Sequence, residues 1–130
     1  MLRAQVEPVD PFDLPDWLGI SQVRWTALST VRGASRVTGR LAAQPGEERL
    51  DCDLLAADVA YPEPLLDEGW RRQVHQAWEF GQVMLVGYGG RLTVAVPGTS
   101  YSADGVLECV SRLARALGAE PERYSVCLRL

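Results

Sequence analysis

From Gln22 onward the chain alternates apolar and polar positions: Val23, Trp25 and Ala27 stand between Arg24, Thr26 and Leu28. After the turn residues Arg32-Gly33-Ala34-Ser35, Val37, Gly39, Leu41 and Ala43 alternate with Arg36, Thr38 and Arg40. Beyond Gln44-Pro45-Gly46-Glu47, Leu50, Cys52 and Leu54 alternate with Asp51, Asp53 and Leu55. Period two in three short runs predicts an antiparallel meander with one apolar and one polar face.

The period then changes. Tyr61-Pro62-Glu63-Pro64 breaks the strand, and Leu66, Trp70, Val74, Ala77 and Trp78 fall on one helical stripe. Asp67 with Arg71 and Glu68 with Arg72 stand four apart on the outer side, and Gly81 is placed to close the helix. Val83-Met84-Leu85-Val86 is apolar on both faces, Tyr88-Gly89-Gly90-Arg91 is a hairpin signal, and Leu92, Val94 and Val96 form the return strand. A second helix starts near Ser102, with Asp104 in its first turn and Val106, Val110, Leu113 and Leu117 on one stripe. Gly118 and Pro121 stop it, and Tyr124, Val126, Leu128 and Leu130 predict a last strand.

Residues 1–19 differ from the rest. Pro8, Pro11 and Pro15 predict an extended arm with at most one short turn, capped by Asp13 or Asp16. Phe12, Leu14, Trp17 and Leu18 make it too apolar for a free tail, so it is expected to dock on the domain or on a partner. The order arm-βββ-α-ββ-α-β then predicts one α+β domain over 20–130. Its largely antiparallel sheet and helices, packed on one face, would form two layers.

Composition narrows the chemistry. At 130 residues, with 47% hydrophobic and 23% charged positions, the chain has the size and mix of one domain. It contains no lysine, which excludes a Schiff base and a phosphate-gripping Walker lysine. Its one histidine, His75, excludes any site built on two. Asparagine is also absent and isoleucine occurs once, so the all-arginine basic set reads as the mark of a GC-rich genome. A net charge of −4 and a pI near 5.0 argue against nucleic acid and anionic membranes as partners. No apolar leader or membrane span is expected. Cys52, Cys109 and Cys127 have neither disulfide-framework nor zinc spacing, which suits a reducing cytoplasm, and no cofactor is implied.

The candidate sites each have a plainer reading. Asp51 and Asp53 share a strand face and could hold a divalent cation for catalysis, or could pair with Arg36 and Arg40 across the sheet. Ser100, Tyr101 and Ser102 precede a helix N-terminus that could bind an anion or small molecule, or could simply cap it. His75 beside a cysteine could make a nucleophile–base pair, but its helix position points to solvent. Arg24, Arg36 and Arg40 give the sheet a charged face without the stacking aromatics of RNA-binding sheets. Phe12, Trp17 and Leu18 are candidate partner contacts of the arm, with Trp17 either a lid on the core or a dimer contact.

The runs His75-Gln76-Ala77-Trp78, Val94-Ala95-Val96-Pro97-Gly98-Thr99 and Pro121-Glu122-Arg123-Tyr124-Ser125-Val126 resemble a family of small uncharacterised proteins from high-GC Gram-positive bacteria. That resemblance brings no activity or ligand with it. In topology alone, the order of elements is similar to that of type III secretion chaperones, which are small, acidic, usually dimeric proteins; the last strand departs from that pattern. The expected function is therefore a non-catalytic, cytoplasmic protein-interaction or chaperone-like module acting as a homodimer. An anion or small-molecule sensor using the 97–102 loop is the alternative, and a metal-dependent enzyme using Asp51 and Asp53 the third.

Overall fold

The computed structural model describes residues 6–60 and 63–130. The first five positions of the arm, and Tyr61 and Pro62 of the expected break, lie outside the described residues. Among the described residues the protein is a mixed α+β structure with one eight-stranded, largely antiparallel sheet and three helices. The strands are β1 (Val6–Pro8), β2 (Val23–Ala27), β3 (Arg36–Val37), β4 (Gly39–Ala43), β5 (Arg49–Ala56), β6 (Met84–Tyr88), β7 (Arg91–Val96) and β8 (Tyr124–Cys127). The helices are α1 (Trp17–Ile20), α2 (Glu68–Glu79) and α3 (Ala103–Ala116).

Across the sheet the order is β1-β6-β7-β5-β4-β2-β8, with β3 also paired to β5. Two pairs are parallel, β5 with β7 and β2 with β8. Each of these joins segments that a helix separates in the chain, as parallel pairing requires a long crossover.

The arm is more ordered than its prolines predict. Val6–Pro8 adds an edge strand to β6, and Pro11–Asp13 forms a 3-10 turn capped by Asp10, whose carboxylate accepts the Phe12 N–H at 2.9 Å. Leu18 of α1 is buried in the main core, and its carbonyl accepts the Tyr124 hydroxyl at 2.7 Å. These contacts hold the described part of the arm against the chain's own sheet.

The second alternating run is split into β3 and β4 by Thr38. The pairing register with β5 continues across the break, from Val37 opposite Leu54 to Arg40 opposite Asp51. In the gap, side chains satisfy the backbone. Trp25 Nε1–H donates to the Cys52 carbonyl at 2.9 Å, and the Gly39 N–H donates to Asp53 Oδ1 at 3.1 Å. Only glycine fits at 39, because a Cβ there would overlap the Trp25 indole.

The helices do not share one apolar face of the sheet, as the sequence pattern led us to expect. Val106, Cys109, Val110 and Leu113 of α3 cluster with Leu54, Ala56, Val94 and Val96. Val74 and Trp70 of α2 instead cluster with Leu55 and Ala95. Successive strand residues point to opposite faces, so the two helices approach β5 and β7 from opposite sides. The sequence signal for this was present: Leu54 with Leu55, and Val94 with Ala95, are adjacent apolar residues rather than alternating ones. Trp78, at the end of α2, still reaches the main core.

Candidate interaction surface

A cluster of carboxylates and guanidinium groups occupies the sheet face of Asp53. Its members sit opposite one another because Arg40 pairs with Asp51 and Arg36 with Leu55 in the β-ladders, while β7 delivers Arg91 from the far side of β5. Asp53 is wholly buried. Arg91 grips it with both ends of its fork, Nε to Oδ2 at 2.8 Å and Nη2 to Oδ1 at 2.9 Å. Arg36 adds a contact to Oδ2 at 3.1 Å, and the Gly39 amide completes the set.

Burial alone would push the Asp53 carboxyl upward. The hydrogen bonds from Arg91, Gly39 and Arg36 outweigh burial and hold it below the usual carboxylate range. Asp51, half exposed, pairs with Arg40 at 3.4 Å and with Arg91 at 3.0 Å. The two aspartates are thus brought together with Arg36 and Arg40, and with Arg91, which the sequence reading left in a hairpin turn. Among the described residues no group of three or more His, Cys, Asp or Glu side chains is arranged to hold a metal ion.

Toward the β8 side this face continues as an open surface. Arg24, Arg40, Arg49, Ser125 and Cys127 are all exposed. Arg36 is held elsewhere, with its guanidinium carbon 4.8 Å from the centre of the Tyr88 ring. Trp25 lies fully buried on the opposite face, as the alternation predicts. Among the described residues β8 is the last strand of the sheet, and its outer edge has no neighbouring strand.

The other expected site residues are engaged within the chain. Ser102 caps α3 by accepting the Gly105 N–H at 3.1 Å, and Ser100 is exposed. The Tyr101 ring turns into the core, where its hydroxyl is buried without a hydrogen-bond partner among the described residues. Burial raises the Tyr101 pKa far above its ordinary value. The Gly98 amide, earlier in the same loop, gives its N–H to Asp58 Oδ2 at 2.7 Å. Asp58 also meets His75 Nε2 at 2.9 Å. Burial would raise the Asp58 carboxyl, but the Gly98 and His75 hydrogen bonds lower it.

The cysteines are free thiols and none of them is bonded to His75. Cys52 and Cys109 are buried, which pushes the Cys109 thiol up to about 12, while Cys127 is exposed on β8. Of the arm candidates, Leu18 is buried, Trp17 packs half-buried on the main core, and Phe12 is 95% exposed.

No protein-family model, curated protein or solved structure matches the chain. The resemblance carried by His75–Trp78, Val94–Thr99 and Pro121–Val126 therefore gains nothing from these comparisons. The site rests on its own geometry.

Proposed function

We propose that the protein is a non-catalytic protein-interaction module of the cytoplasm that acts as a homodimer, with the free edge of β8 as its two-fold contact. The observation that carries this reading is the contrast between the two ends of the sheet. The β1 end, of which the described residues are Val6–Pro8, finishes in Pro8, and a proline is one way proteins blunt an edge. The β8 end, Tyr-Ser-Val-Cys, contains no proline and no charge, and among the described residues it pairs with a strand, β2, on one side alone. A second copy related by a two-fold axis offers the same edge, so the contact closes on itself. Phe12 is the arm residue free to join such an assembly.

The group chemistry favours binding over catalysis. The four hydrogen bonds to Asp53 leave its oxygens little capacity for a divalent ion, and the 97–102 loop spends its Gly98 amide on Asp58. Free thiols in the core fit a reducing compartment.

Light scattering on the wild type and on Cys127→Lys tests the reading. The wild type is expected at twice the 14.3 kDa chain mass, and the variant, which puts a charge on the uncharged edge strand, at the monomer mass. A monomeric wild type, or a variant that stays dimeric, overturns it.

A further inference from the structure

We infer that the open sheet face carries a binding site for a compact, phosphate-bearing anion, formed by Arg24, Arg40 and Arg49 around Ala42. The ladder puts these groups together. Ala42 of β4 lies opposite Arg24 of β2 on one side and Arg49 of β5 on the other, and Arg40 precedes it by two residues on the same face. A methyl group at the centre of three long side chains leaves a depression of about 230 Å³, to which Thr26 and Gln44 add polar groups.

The arginines reach the hollow with their charge largely unspent. Among the described residues Arg24 bonds only the neutral Ser125 hydroxyl, at 3.4 Å, and Arg49 donates to the Gly46 and Glu48 carbonyls. Arg40 has a carboxylate partner, Asp51, but Arg91 holds that same carboxylate more closely, at 3.0 against 3.4 Å. Among the described residues no carboxylate lines the depression. Cross-strand arginines are ordinarily set against acids. Here the positions facing Arg24 and Arg49 across β4 are both filled by one alanine, and the missing counter-charge is the ligand's to supply.

Charge and shape select the ligand class. Three guanidinium groups in one hollow match a di- or trianion, and a planar fork of N–H donors suits phosphate oxygens. A nucleic-acid strand fits less well. The chain's net charge is −4, Trp25 is buried on the other face, and Tyr88 lies beneath Arg36, so the hollow lacks a stacking ring. The site is separate from the β8 edge contact and stands whether or not the protein dimerises.

Titration of the full-length protein with pyrophosphate, followed by calorimetry and by backbone amide shifts, tests the inference. Binding is expected, weakening as salt rises. Shifts should concentrate at Arg24, Ala42 and Arg49. Arg24→Gln and Arg49→Gln should each weaken binding at least tenfold, with melting temperatures unchanged because both side chains are exposed. Lack of binding at millimolar pyrophosphate, shifts centred on Gly98–Ser102, or full affinity in the double variant would each overturn the site. A single-stranded oligonucleotide that binds more tightly than pyrophosphate would overturn the assignment to a compact ligand.

Discussion

Asp53 shows how much one residue organises here. Its carboxylate is buried, joins β7 and β3 to β5 through Arg91 and Arg36, and fills a break in the backbone ladder through Gly39. Removing one partner of a buried charge pair strands the others, so Asp53→Asn is expected to cost about 3 kcal/mol or more. The pH dependence has a definite sign. The folded-state carboxyl sits below its unfolded value of roughly 3.9, so its contribution is complete above that pH and is lost as pH falls through the folded value. Urea unfolding of both proteins at a series of pH values should therefore show their stability gap wide at neutral pH and closing under acid. A gap that is constant or grows toward low pH would contradict the assignment. The pairing of Asp51 and Asp53 with Arg40 and Arg36 was legible in the sequence, because cross-strand partners follow from register. Arg91 was not, because parallel pairing of β5 with β7 depends on a crossover that local pattern does not encode.

At the scale of elements, Arg112 joins α3 to the end of α2. Its guanidinium carbon lies 3.6 Å from the centre of the Trp78 ring. Nη1 donates to the Trp78 and Gln82 carbonyls at 2.7 and 3.2 Å, and Nε pairs with Glu108 at 2.8 Å. A carbonyl oxygen has two lone pairs, and here the Trp78 carbonyl at the end of α2 accepts Arg112 as well as the Gly81 N–H. Arg112→Ala is expected to destabilise the protein by about 1–3 kcal/mol in thermal or urea unfolding. Lysine should not restore the loss, since it cannot stack and fork at once. A loss near zero, or full rescue by lysine, would show that the contact is incidental. The helices themselves were legible from periodicity and caps, Ser102 among them. Their placement on opposite sides of β5 and β7 differs from the one-face packing that alternation implies, because the adjacent apolar pairs Leu54-Leu55 and Val94-Ala95 belong to strands covered on both faces. The strand at Val6–Pro8 was missed because a three-residue edge has too little sequence to show a period.

At the scale of the molecule, the sheet is covered unevenly. One end carries helices on both sides, and the other presents an arginine-bearing face and an unblunted edge. The described part of the arm packs on its own chain through Leu18, which is in the core, and leaves Phe12 outside. Sequence pattern finds apolar segments but does not say which copy of the chain they cover. The most direct test of a β8-centred dimer is amide hydrogen exchange at Tyr124–Cys127 across a range of protein concentrations. Protection of these amides that rises with concentration, while the β1 amides of Val6 and Glu7 stay unchanged, is the predicted result. Exchange at β8 that is independent of concentration, or concentration-dependent protection confined to the surface around Phe12, would contradict the account.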